Sequence, residues 1–349
     1  MTTALAHGAI PAPRLEAFAA DVLMKAGLRD REAKGVASYL VEANLRGVEG
    51  HGVLRLLQYV RSLEGDEINT APDVRVVRRS GATALVDADG GYGFEPARLA
   101  MTIAISLAET WGVGAVGVRN SHHFGMASFY ALQATEAGLA GIAISNTLAV
   151  LPAPGGLKAV VGNDPIAIAV PRLADAAISV DLALSEASWG KISHAATRGV
   201  PIPLGWALDA DGRETTVAAD ALAANLLVPV GGHKGFALAV VLELLAGALT
   251  DSPVGPAADG HSHKAGGCGH LLIAVHPGRF GGEAAFAKRV EELVSAIVGS
   301  PTLSSELPRL PGARSAATRA ARLASGIPLA DDVCAKLNEL ASRLGARTL

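Results

Sequence analysis

The 349-residue chain is poor in aromatic residues (4%), in charge (18%) and in cysteine, of which it has two. Cys268 and Cys334 cannot supply a disulfide framework, a usage that suits a reducing compartment. A net charge of −3 without a basic stripe gives no electrostatic grip on nucleic acid or on an anionic membrane surface, so neither is expected as a partner. No basic stretch followed by an apolar core marks the start of the chain, and no signal peptide is expected. The most apolar stretch, Phe236 to Leu249, is short for a bilayer crossing and is interrupted by Glu243. Neither His-Glu-x-x-His nor Gly-x-Ser-x-Gly occurs, which removes support for zincin and α/β-hydrolase chemistry. A soluble, cytoplasmic globular protein is expected.

What is present is small and apolar. Half of the residues are hydrophobic and 40 are glycine, enough for a large core, and the length fits one large or two modest domains. Apolar residues three and four apart, such as Leu15, Phe18, Val22 and Leu23, predict helices across 14–64. From there short β-branched runs alternate with helical stretches. Strands are expected at 84–87, 115–119, 140–146, 166–170 and 178–182, with helices at 96–111 and 127–137. A helix opens after Gly231-Gly232 and runs to Leu249, a strand follows at 271–275, and helices cover 283–298 and 329–344. Segments 251–270 and 300–313, rich in Gly, Pro and Ser, read as loops. The expectation is an α/β protein with a helical N-terminal part (1–75), a central α/β part (76–280) and a helical C-terminal part (281–349).

Arg119-Asn-Ser-His-His-Phe-Gly125 places two histidines where the strand Gly114–Val118 ends and a helix begins, the position at which open α/β sheets carry their chemistry. Histidine exchanges protons near neutral pH. The alternative is a Ser121 helix cap with one histidine in the core. Gly50-His51-Gly52-x-x-Arg55 sets a histidine and an arginine one helical turn apart, where a guanidinium can hold a carboxylate beside a proton-exchanging ring. An exposed helix start is the alternative there. Gly231-Gly-His-Lys-Gly235 precedes a helix, so free amides, the helix dipole and Lys234 favour a phosphate, although the Walker spacing is absent and a solvated loop would look the same.

Gly112-x-Gly114-x-x-Gly117 has the dinucleotide spacing but follows a helix and enters a strand. That reverses the order which aims a helix N-terminus at a pyrophosphate, so these glycines are expected to serve helix–strand packing. His261, His263, Cys268 and His270 are metal-ligand types in one loop, but His-x-His without a second anchored pair is a poor frame for structural zinc, and no metal is expected. Ala153-Pro-Gly-Gly156 and Gly162-Asn-Asp-Pro-Ile166 read as turns.

Taken in chain order, a larger set of strings resembles one family. His51-Gly-Val-Leu-Arg55, Asn120-Ser-His-His-Phe-Gly125, Ser145-Asn-Thr147, Pro154-Gly-Gly156, Gly162-Asn-Asp-Pro-Ile-Ala167, Trp189-Gly-Lys-Ile192, Ile202-Pro-Leu-Gly-Trp206, Gly231-Gly-His-Lys-Gly-Phe236 and Arg309-Leu-Pro-Gly312 carry the likeness. They resemble the malate/L-lactate dehydrogenase family of non-Rossmann NAD(P)-dependent 2-oxoacid reductases. That family also holds ureidoglycolate, sulfolactate and diketogulonate enzymes and a piperideine-2-carboxylate reductase. The resemblance implies a non-Rossmann central α/β domain with a mixed sheet beside a helical domain built from both termini. It also implies a homodimer with NAD or NADP bound near the subunit interface.

The implied reaction moves a hydride between a nicotinamide and a small L-2-hydroxyacid or 2-oxoacid. Reduction of a cyclic imine of a 2-oxoacid, or a binding homologue without catalysis, are the alternatives. By the same resemblance His51 would donate the proton, Arg55 would clamp the carboxylate of the small substrate, and Asn163 would face it. His123 would lie beside the nicotinamide, at a position that some members use as acid/base. The cofactor would touch His123, Phe124, Gly125, Met126 and Ala127, then Asp181, Leu182 and Ala183, then Gly231, Gly232 and Lys234, and finally Pro311, Gly312 and Ala313.

The chain departs from the family pattern in places. Gly50 stands where serine usually precedes the histidine, Gly162-Asn-Asp-Pro165 replaces Gly-Thr-Asn-Pro, and Pro311-Gly-Ala313 replaces Pro-Gly-Glu. Lys191 falls near the place of a carboxylate that completes the imine reductase's relay. These changes weigh against a cyclic imine, although Gly231-Gly-His-Lys-Gly235 is nearer that branch, and they leave the His51–Arg55 pair intact.

Overall fold

The computed structural model describes residues 8–173, 175–258, 266–303 and 308–349. Three helices come first, α1 (Ala12–Lys25), α2 (Asp30–Leu45) and α3 (Leu56–Glu64). Strands β1 (Arg75–Ser80) and β2 (Thr83–Asp87) lead to α4 (Phe94–Trp111), β3 (Val113–Ser121), α5 (Ser128–Glu136) and β4 (Ala140–Ser145). The short β5 (Ala149–Pro152) and β6 (Ala159–Gly162) pair with each other ahead of β7 (Ile166–Val170) and β8 (Ile178–Leu182). Then come α6 (Trp189–Thr197), β9 (Ala207–Leu208), α7 (Ala218–Ala224), β10 (Leu226–Leu227) and α8 (His233–Ala246). The chain continues through β11 (Cys268–Val275), α9 (Glu283–Val298), α10 (Ala313–Ser325) and α11 (Asp331–Leu344).

Seven strands make one sheet in the order β1-β2-β3-β11-β4-β7-β8. β2 and β3 run parallel and the other neighbours antiparallel, so the α/β class and the mixed sheet agree with expectation. Register decides which ends share a rim. Ser121 pairs with Cys268, Ser145 with His270, and Ile166 with Leu182. The C-terminal ends of β3, β4 and β8 therefore meet the N-terminal ends of β11 and β7 along one edge.

One face of the sheet packs against α4 and α5 through small residues. A Cβ at Gly114 would strike the Ala104 carbonyl, and one at Gly141 the Ala131 carbonyl. Gly112 ends α4 at φ +85°. The fingerprint-like glycines thus serve close packing, as their order in the chain implied. The same core continues into the terminal helices, where α11 rests on α1 and α3, and α10 on α2. Leu15, Leu40 and Leu337 are fully buried in it; each such side chain contributes about 1.5–3 kcal/mol.

The opposite face carries α8, with Ala239, Leu242 and Ala246 buried in a second core beside Ile144 and Leu271. With the turn Ala248–Thr250, the segment His233–Thr250 is 18 residues long and apolar enough to cross a membrane, longer than the sequence reading allowed. Its inner side packs on β4, β6 and β11, while Leu238, Val241, Leu244, Leu245 and Leu249 are exposed.

Two expectations change. β11 starts at Cys268, which takes that residue and His270 out of the loop and into the sheet. α10 was not anticipated. It has no buried residue, and polar contacts hold it: Arg319 Nε to Glu42 at 2.7 Å, Arg322 Nη1 to Glu49 at 2.6 Å, and Ser315 Oγ to the Arg46 carbonyl at 3.3 Å.

Candidate active site

His51 and Arg55 lie on two short 3-10 turns, Glu49–His51 and Val53–Arg55, separated by an extended Gly52, and not on one helix face as the spacing suggested. The cause is Asn44 of α2. Its Oδ1 accepts the Val53 N–H at 2.8 Å, its amide donates to Glu49, and it occupies the space a Cβ at Gly52 would need. Arg322 of α10 holds Glu49 from the other side. Arg55 folds back over the turn, its Nε donating to the Gly50 carbonyl at 2.8 Å and its Nη1 to Gln58 at 2.6 Å. Burial, then the Arg55 charge, push the His51 pKa down to about 4. At neutral pH the ring is therefore uncharged and able to accept a proton.

The His51 ring lies parallel to that of His123, with centroids 5.6 Å apart and planes 10° from parallel. His123 sits just beyond β3. Its Nδ1 is 2.7 Å from the Tyr59 hydroxyl and accepts the Gly125 N–H at 3.2 Å. Tyr59, on α3, is fully buried against Tyr92 and Phe94. Nothing in the sequence singled it out from the apolar face of its helix. Phe124, Met126 and Ala127 are buried, and the Phe124 carbonyl accepts the Tyr130 hydroxyl at 2.5 Å.

His270 belongs to a different construction. Its two ring nitrogens are each 2.8 Å from a serine, Ser145 and Ser121, and it stacks on Phe124 at 4.4 Å. Burial pushes its pKa down to about 3. With both nitrogens engaged it is a neutral cross-tie of β3, β11 and β4, and His122, fully buried, lies beside it. His261 and His263 lie outside the described residues; among the described residues no cluster of His, Cys, Asp or Glu is placed to hold a metal.

Asn163 and Asp164 stand on the same rim, ahead of β7. Asn163 Oδ1 accepts from the Thr147 hydroxyl at 3.1 Å, its Nδ2 donates to Ser185 at 3.3 Å, and its carbonyl accepts the Leu184 N–H at 2.7 Å. Asp164 is fully buried, with Oδ1 accepting the Thr147 N–H at 2.9 Å. Beneath it Glu243, buried on α8, accepts from the Asn146 amide at 2.9 Å and from the Gly162 and Gly255 N–H groups, each at 3.1 Å. Burial, then the negative charge of Glu243, raise the Asp164 pKa well above the carboxylate range. The protonated form of Asp164 is therefore favoured, and its Oδ2 has no hydrogen-bond partner within normal reach among the described residues. An acid in the middle of an apolar helix was the available signal for this pair.

Most of the remaining candidates follow the rim. Asp181 Oδ2 accepts the Ser128 N–H at 2.8 Å, which ties the end of β8 (Asp181, Leu182, with Ala183 next) to the start of α5. Leu184 accepts from Val230 at 2.9 Å, and the Gly231 N–H donates to Glu186 at 3.0 Å. Pro311 and Gly312 stand away from it, toward the other end of β8 where Ser179 pairs with Ala169: Pro311 accepts the Ser179 N–H at 3.2 Å, and Gly312, at φ +85°, has no room for a Cβ above Ser179. α8 opens on Gly231 and Gly232, at φ +61° and +64°, with open space where side chains would stand and no side chain capping its first turn. Lys234 is exposed in that turn, and α10 likewise starts at Gly312 and Ala313 without a side-chain cap. Uncapped amides beside open space fit a phosphate-bearing cofactor. Lys191, on α6, lies instead over the Trp206 ring at 5.7 Å.

Comparison with known proteins places the whole chain in one family. The profile of malate/L-lactate dehydrogenase matches residues 10–338. The malate dehydrogenase of Pyrococcus horikoshii is 34% identical, over 97% of this chain and 96% of its own. The solved sulfolactate dehydrogenase of Methanocaldococcus jannaschii superposes with a TM-score of 0.88 at 33% identity, covering 97% of this chain and 98% of that one. The Δ1-piperideine-2-carboxylate reductase of Pseudomonas syringae does so with 0.88 at 30% identity, over 96% and 100%. The chain belongs to the malate/L-lactate dehydrogenase family of oxidoreductases.

Proposed function

We propose that the protein interconverts a small L-2-hydroxyacid and its 2-oxoacid, with His51 exchanging the proton, Arg55 binding the carboxylate, Asn163 facing the substrate, and the segments at His123–Ala127, Asp181–Ala183, Gly231–Lys234 and Pro311–Ala313 receiving NAD or NADP. The chain is an NAD(P)-dependent 2-hydroxyacid dehydrogenase of the malate, lactate or sulfolactate type. The observation that carries the roles is the parallel His51–His123 pair with the Arg55 guanidinium folded onto the same turn. A bound nicotinamide supplies or takes the hydride.

In oxidation the uncharged His51 takes the hydroxyl proton. In reduction it must carry a proton, which burial and, second, the Arg55 charge disfavour; a substrate carboxylate on Arg55 would offset the second of these. Positioned proton transfer of this kind is worth about 10²–10⁴-fold in rate. Relatives named for NAD(+) and for NADP(+) both occur, so the assay uses both. The test is a panel of 2-oxoacids, 2-hydroxyacids and cyclic imines, followed by the absorbance of the reduced nicotinamide. Turnover of at least one 2-oxoacid is expected, and none with either cofactor overturns the reading. Preferential turnover of a cyclic imine would favour the second reading, against which Gly50, without a hydroxyl, and Lys191, placed on Trp206, both count.

The exposed stripe of Leu238, Val241, Leu245 and Leu249 supports a homodimer formed over α8. Light scattering should give about twice the 35.4 kDa chain mass, and Val241→Glu should give the monomer.

A further inference from the structure

We infer that Tyr59 and the Gly125 amide hold His123 as the uncharged tautomer with its proton on Nε2, so that His123 acts as a fixed hydrogen-bond donor beside the reacting groups and Tyr59 is its positioning residue. The inference rests on the site reading given above.

A backbone N–H has only a proton to offer. The Gly125 N–H points at His123 Nδ1 from 3.2 Å, so Nδ1 must hold a lone pair and the ring proton must sit on Nε2. The Tyr59 hydroxyl, 2.7 Å from the same nitrogen, is then the donor of that bond. Protonating Nδ1 would set an N–H against the Gly125 N–H and oblige the Tyr59 hydroxyl to turn round. Tyr59 is fully buried, its ring is packed by Tyr92 at 4.8 Å and Phe94 at 6.0 Å, and its carbonyl is held by the Tyr92 hydroxyl at 3.0 Å. Gly125 is equally fixed, since its φ of +79° sets the amide and the Phe94 ring lies against it. Among the groups facing His123 are Tyr59 from α3, Phe94 from α4 and His51 from the preceding turn, none of them a carboxylate.

The consequence separates two histidines that look interchangeable in sequence. A ring with its proton on Nε2 and two donors on Nδ1 has no nitrogen left to accept the substrate's proton. Proton exchange then falls to His51, and an uncharged neighbour 5.6 Å away lets His51 gain and lose charge without like-charge repulsion.

The test is ¹⁵N–¹H correlation NMR of the histidine-labelled full chain, with the His123 signals identified by their loss in His123→Gln. The wild type should show the Nε2–H tautomer throughout, without titration between about pH 5.5 and about pH 8.5. An Nδ1–H tautomer, or a charged ring forming in that range, overturns the inference. Tyr59→Phe should bring His123 titration into the range and add an ionisation to the pH profile of kcat/KM; an unchanged profile removes the positioning role. If Tyr59→Phe does not fold, the wild-type spectrum still decides. His123→Gln, which retains an N–H donor, should keep at least about tenfold more activity than His123→Ala. Failure of the site reading is a distinct result: undiminished turnover in His51→Ala would sink it while leaving the tautomer measurement standing.

Discussion

Replacing Asp164 by asparagine should stabilise the protein more at neutral pH than in mild acid. Native Asp164 favours its protonated form beside Glu243, whereas the unfolded carboxyl loses its proton near the ordinary value of about 3.9. The native state thus binds more protons, and wild-type stability contains a component that falls as pH rises above that value. For a single proton the slope is at most about 1.4 kcal/mol per pH unit. Asparagine keeps an oxygen for the Thr147 N–H and needs no proton, so the variant lacks this slope. Other groups cancel in the difference between the two proteins. That difference should grow as the pH rises from about 5 toward about 7, by at most about 1.4 kcal/mol per pH unit. Urea unfolding followed by the fluorescence of the three tryptophans measures it. Parallel stability curves, or a constant loss of about 1–3 kcal/mol in the variant at every pH, would mean that Asp164 serves as an ionised acceptor and would refute the reasoning.

His51→Ala should lower kcat by about 10²–10⁴-fold with little change in affinity for the reduced nicotinamide, measured by fluorescence titration. Arg55→Lys should raise KM for 2-oxoacids about tenfold or more, because lysine cannot grip both carboxylate oxygens; an unchanged KM would take Arg55 out of the site. Acid should destabilise the fold through His270. Its pKa is lowered on folding, so the unfolded state binds more protons and stability is lost as pH falls from about 6.5 toward about 3, by about 2 kcal/mol at pH 5. Thermal melts between those values should show a shallower acid loss in His270→Asn, and an equal slope would rule the contribution out.

Much of the frame was legible because burial imposes period. Strand 166–170 falls where alternation puts it, with Ala167 and Ala169 buried, and strand 178–182 and helix 283–298 also fall where the sequence pattern puts them, although the helix buries only Val294 and the strand no residue. α10 hides nothing: alanine and a single leucine give it no stripe, and its Arg319 and Arg322 find partners more than 270 residues earlier in the chain. The site divides in the same way. His51, Arg55 and His123 stand in glycine-flanked strings that local reading detects. Tyr59 occupies an ordinary helix position and Glu243 stands out only as an acid in an apolar helix; the fold alone brings them to His123 and Asp164. Asp164 itself reads as a turn residue until Glu243 lies beneath it.

The C-terminal segment touches both the edge of the sheet and the His51 turn. Pro311 and Gly312 lie on Ser179 of β8, and Arg322, about three helical turns later, steadies the Glu49 beside His51. A ribosome synthesises the His51 turn early and α10 late, so until α10 has emerged the turn of a nascent chain is held by Asn44 without Arg322.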